Sequence, residues 1–166
     1  MGIDVLSTLD AVVQMRIIAL IVVLCCAVVD DMRRFRISNR IIMAGVIMSC
    51  MSAIVGCVMY GSLHTIIDNL TGGVIGFAAA FAIYAVRGIG AGDVKLFMVC
   101  GMLVGYRYVC EMLIISLVAG VIIGAVEMIA RSGKVVDIRG IKVHATHFSL
   151  GILVGNVCVI VKMLCM

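Results

Sequence analysis

The chain has 166 residues, 64% of them hydrophobic and 13% charged, with a formal net charge of +4 and a mean hydropathy of +1.30. Soluble domains average about 45–50% apolar and about 25% charged residues, so this composition excludes a soluble domain and describes an integral membrane protein. The basic residues fall in short clusters between apolar blocks, which is a signature of membrane topology and not of nucleic-acid binding. No Pro-, Ser- or Gly-rich linker divides the chain, so residues 1–166 are expected to form one transmembrane domain.

A bilayer core needs about 20 mainly apolar helical residues per crossing, and six blocks approach that length. The first, Ala11–Val29, is not a secretory signal: Asp4 and Asp10 stand where a basic region is required, and no A-x-A-like site follows. It is expected to be retained as a helix, ending at the acidic pair Asp30 and Asp31. The second block is Ile41–Tyr60. The third, Ile66–Val86, begins with the polar residues Asp68 and Asn69, for which a structural hydrogen bond is expected. The fourth, Gly88–Gly105, opens with "GIGAGDVKLF", an aspartate and a lysine among glycines in otherwise apolar sequence. The fifth, Tyr108–Ala130, carries Glu111 near one end and Glu127 near the other, and Phe148–Met166 is the sixth. No block alternates polar and apolar residues as a barrel strand would, so helices must satisfy the backbone. The expected fold is all-α, a polytopic bundle of six transmembrane helices. The eight cysteines include no C-x-x-C pair and read as small buried hydrophobes.

Loop charge orients the bundle. Arg33, Arg34, Arg36 and Arg40 lie between blocks one and two, Arg87 and Lys95 around the start of block four, and Arg131, Lys134, Arg139 and Lys142 between blocks five and six. The opposite side holds Arg16, Arg107 and Lys162 alone. Positive-inside logic places the three basic loops in the cytoplasm and both termini outside the cell membrane. Asp31, at the end of helix one, and Asp93, at the start of helix four, then meet at the same depth on the cytoplasmic side.

Carboxylates at membrane depth are costly and face an interior partner or a water-filled cavity. Asp93 and Lys95 are two apart and point to different faces of a helix, so a local ion pair does not account for them. Glycines lack side chains and let another backbone approach, which suits a site that accepts an extended peptide. Two carboxylates in one poorly solvated pocket cannot both ionise easily. One keeps a proton while the other serves as base, so the pair can activate water without metal or cofactor.

The residues also match a known pattern. "DMRRFRISN" (Asp31 to Asn39) resembles the D-x5-I-P-N element of type IV prepilin peptidases, and "GAGDVKL" (Gly90 to Leu96) resembles their G-x-G-D-x-K-L motif. "HATHFSLGILVG" (His144 to Gly155) sits where that family has a polar turn leading into its last helix. The resemblance implies a GxGD-type intramembrane aspartyl protease with Asp31 and Asp93 as catalytic residues and Gly90, Gly92, Lys95 and Asn39 as supporting motif residues. It implies no metal and no cofactor. The implied substrate is a prepilin or pseudopilin, whose short basic leader is cut from a hydrophobic helix at the cytoplasmic face. Two departures stand out. Ser38 occupies the usual proline position, which leaves that turn less stiff. The cytoplasmic domain that larger members carry for N-methylation is absent, as in the short members serving Flp-type pili and archaeal preflagellins.

The remaining polar residues have plainer readings. Asp30 caps or solvates the end of helix one. Lys95 either tunes the aspartate pair or snorkels to lipid headgroups, and the cytoplasmic cations contact anionic lipid. Glu127 pairs with a basic loop residue, or works at the depth of the dyad. His144 and His147 are loop residues, with substrate contact the alternative. Two competing functions remain: a small ion-coupled transporter and a non-enzymatic subunit of a pilus or secretion machine. Transporters commonly show broken helices in matching positions of two halves, whereas the glycine-broken start at 88–92 has no counterpart.

Overall fold

The computed structural model describes residues 3–34, 37–86, 88–129, 135–138, 141–144 and 148–165, with side chains described within 11–34, 37–86, 88–126 and 149–163. Among the described residues six helices follow in chain order: α1 (Ile3–Arg34), α2 (Asn39–Tyr60), α3 (His64–Ala85), α4 (Ala91–Val104), α5 (Tyr106–Ile129) and α6 (Phe148–Cys165). Between α5 and α6 lies a short antiparallel hairpin, β1 (Val135–Ile138) with β2 (Ile141–His144), in which Val135 pairs with His144 and Ile138 with Ile141. The all-α expectation therefore describes the helical body and omits this hairpin. Its "VVDI" and "IKVH" segments are rich in β-branched residues, which favour strands.

Among the described residues, four helices, α1, α2, α3 and α5, are long and apolar enough to cross a bilayer. Of the six expected spans, α4 is shorter than its block Gly88–Gly105. At 14 residues α4 is about 21 Å long, against a hydrocarbon core of about 30 Å, while α6 has 18 residues. The sequence block that suggested a span from Gly88 includes a non-helical stretch at Gly88–Gly90, and the helix starts only at Ala91.

Side-chain size, more than polarity, separates the inner and outer faces. On α2 the buried face carries Gly45, Ser49, Ser52, Ala53 and Gly56, while Met43, Ile47, Ile54 and Val58 point outward. On α3 the inner face is Asn69, Gly72, Gly73, Gly76 and Ala80, and Ile67, Val74 and Phe81 are exposed. This pattern suits a lipid surround, where association relies on close packing of small residues and on interhelical hydrogen bonds. Asn69 supplies such bonds, donating from Nδ2 to the Ser49 carbonyl at 3.1 Å and to Ser49 Oγ at 2.8 Å.

The shortest helix is the central one. α4 contacts each of the other five helices, and Leu96, Phe97, Val99 and Cys100 are fully buried along it. A helix apolar on all sides belongs in an interior. Its tightest partner is α3: a side chain at Gly72 would run into the Gly101 carbonyl, and one at Gly101 into the Gly72 carbonyl. The two backbones touch there, which fixes the depth at which α4 begins. α5 and α6 make the other intimate pair, with Gly151 packed on Gly120.

Candidate active site

Three chain segments converge at one end of the bundle. The end of α1 brings Asp30, Asp31 and Arg34, the α1–α2 connection and first turn of α2 bring Ile37, Ser38 and Asn39, and the start of α4 brings Gly90 to Asp93 and Lys95. Together they line a pocket of about 670 Å³. All six residues singled out from the sequence, Asp31, Asp93, Gly90, Gly92, Lys95 and Asn39, line this pocket. The 62 positions separating Asp31 from Asp93 in sequence are closed by the fold, and the two carboxylates stand close enough to act on each other electrostatically.

Their surroundings differ. Asp31 is buried, 9% exposed, and its Oδ2 accepts a 2.6 Å hydrogen bond from Ser149 Oγ in the first turn of α6. Asp93 is half-buried at the third position of α4, where its Oδ2 accepts from the Gly90 backbone N–H at 3.2 Å. That bond is half of a capping box and also seats the carboxylate at a helix N-terminus, where negative charge is favoured. Lys95 extends to α2, donating from Nζ to Asn39 Oδ1 at 3.0 Å. The two motif residues therefore bridge α4 and α2 across the pocket.

The glycines at this site are not there for backbone conformation. Among the described residues only Gly61 and Gly105 have positive φ. A Cβ on Gly92 would make ordinary contact with Ile37 at 3.4 Å, and one on Gly90 would meet only Asp93 Oδ2, at 3.1 Å. Their bare backbone leaves pocket volume open beside the carboxylates.

Asp30 has other work. Its Oδ2 accepts the Ser38 backbone N–H at 2.8 Å, and Arg34 approaches Oδ1 at 3.6 Å. Ser38 has φ −68° and ψ 135°, and its Oγ accepts from the Arg40 N–H. Proline fixes φ near −65° but has no N–H. Serine thus keeps a proline-like φ here and uses the N–H that proline lacks to anchor the turn on Asp30.

At the opposite end Asp68 is a hub. Its carboxylate pairs with Arg16 at 3.1 Å and accepts the Tyr106 N–H at 3.0 Å, while Arg16 also donates to the Thr65 carbonyl. Lys162 pairs with Glu111 at 2.7 Å. Asp68 and Glu111 are accordingly remote from the pocket, as expected. His147 and the side chains of Glu127 and His144 lie outside the described residues. Ser149 is the site residue that sequence reasoning missed. The start of helix six lies at the same end of the bundle as Asp31, but nothing in one serine marked it as a carboxylate partner.

Comparison with known proteins adds the family. Residues 18–125, well over half of the chain, match the type IV leader peptidase family, and no curated protein and no solved structure matches. The chain belongs to the type IV leader peptidase family, and with its long apolar helices it is a membrane protein of peptidase type. Asp31 and Asp93 both fall within the matched residues, and Ser149 lies beyond them.

Proposed function

We propose that the chain is an aspartyl endopeptidase of the cytoplasmic membrane that removes the short basic leader from prepilins or pseudopilins. The observation that carries this reading is the meeting of Asp31 and Asp93 in one pocket at one end of the bundle. In the active form the pair holds one proton. The ionised carboxylate takes a proton from a water molecule as its oxygen attacks the scissile carbonyl carbon, and the protonated partner donates to the carbonyl oxygen as the tetrahedral intermediate forms. Collapse of the intermediate breaks the C–N bond, and the proton taken from water passes to the leaving amine. Water is consumed, and no cofactor or covalent intermediate takes part. The bare backbone at Gly90 and Gly92 gives the extended leader junction room to lie beside the carboxylates. Positive-inside charge supports a cytoplasmic site, all six helices crossing, and both termini outside.

Co-expression with candidate prepilins tests the reading. Leader loss, seen as a mobility shift, is expected with the native chain and not with Asp31→Asn or Asp93→Asn at equal membrane levels. Leader loss with both variants would remove the aspartyl mechanism.

A further inference from the structure

The 2.6 Å bond from α6 makes the two carboxylates unequal. Building on the aspartyl reading above, we propose that Ser149 is a positioning residue that holds Asp31 as the ionised, proton-accepting member of the pair and leaves the shared proton on Asp93. Ser149 is fully buried and Asp31 nearly so, so water does not compete for this bond. A hydroxyl donated to a carboxylate stabilises its charged form, and short O–H···O⁻ bonds are about twice as strong as neutral ones. The counterpart on Asp93 is a longer, exposed bond from the Gly90 amide, where water does compete.

Helix dipoles alone would favour the opposite assignment. Asp31 stands in the last turn of α1, at its negative end, and Asp93 in the first turn of α4, at its positive end. A buried hydrogen bond to a charged group outweighs a partly exposed helix-end dipole, and the positive end of α6, where Ser149 sits, adds to it. Among the described residues, the charged groups that line the pocket with Asp31 are Asp30 and Arg34 on its own helix and Asp93 and Lys95 on α4, and Arg33 and Arg40 line the adjoining pocket beside Asp30. The described residues of the first turns of α6 bring no charge. A substitution at Ser149 leaves all of these in place.

The test is steady-state cleavage of a prepilin N-terminal peptide by the purified full chain across pH. Ser149→Ala is expected to lower kcat about tenfold near neutral pH and to move the acidic limb of kcat up by about one pH unit, with KM within about twofold. Ser149→Thr, which keeps the hydroxyl, should restore most of the activity. If Ser149→Ala fails to accumulate in membranes, Ser149→Thr and Ser149→Val supply the comparison, since they match in shape and differ in the hydroxyl. An unmoved acidic limb in the hydroxyl-free variant, or equal losses in the Thr and Val variants, overturns the role of Ser149. Asp31→Asn is run beside them. If it is inactive while the limb stays unmoved, only the Ser149 inference falls; if it cleaves like the native chain, the aspartyl reading falls and this inference with it.

Discussion

Asp30 and Asp31 are adjacent and both line the pocket, yet Asp30 anchors a turn while Asp31 bonds to α6. Asp30 anchors Ser38 through its N–H, so Asp30→Ala should lower stability by about 1 kcal/mol, while cleavage per folded molecule stays near the native value. Asp30→Asn keeps an acceptor oxygen and should cost less, and thermal unfolding in detergent would order the two. Ser38→Pro is a sharper probe of the same turn. The native φ of −68° already suits proline, so the gain in stiffness should offset only part of the lost N–H bond and the lost Oγ cap on Arg40, and stability should fall by about 1–2 kcal/mol. Unfolding of this variant at far lower temperature would show that the Asp30 anchor matters more than the backbone angle. The expectation of Asp31 over Asp30 rests on how the stretch from Asp31 to Asn39 resembles the family's motif, and the variants at the two positions test it. The reason serine can stand in for proline was not legible in the sequence, because it depends on a hydrogen bond across the turn.

At the scale of elements, the apolar blocks were legible as helices because lipid demands internally satisfied backbone. Their ends were less so. α1 runs past Val29 to Arg34 and carries both aspartates within the helix, and α4 waits for Gly90 as its N-cap before it starts. The glycines spaced by four, at 72 and 76, 101 and 105, and 151 and 155, mark tight helix contacts, a signal present in the sequence and left unread. The α3–α4 contact makes a prediction. Gly101→Leu should force α4 away from α3 and destabilise the fold by about 1–3 kcal/mol or more, with loss of monodisperse protein in size-exclusion chromatography. Gly92→Ala, with only an ordinary contact to Ile37, should fold normally and lose catalytic efficiency through occupied pocket space. A stable, fully active Gly101→Leu would contradict the packing that sets the depth of Asp93.

For the whole molecule, the proposal from loop charge is that the pocket end faces the cytoplasm. Two of the three basic residues expected outside, Arg16 and Lys162, pair with Asp68 and Glu111 away from the pocket. In a cysteine-depleted background, Ser38→Cys should react with a membrane-impermeant thiol reagent only from the cytoplasmic side, and Ser62→Cys only from outside. Reversed labelling would invert the topology and move the pocket away from a cytoplasmic leader. The central claim, that Asp31 and Asp93 act as one catalytic unit, is tested most directly by cleavage of a prepilin peptide by purified protein in the presence of a strong chelator. The native chain should cut, and Asp31→Asn, Asp93→Asn and the double variant should all fall to the same background rate, because removing either member of a unit costs about as much as removing both. Additive partial losses in the two single variants, or native-like cleavage by either one, would contradict it.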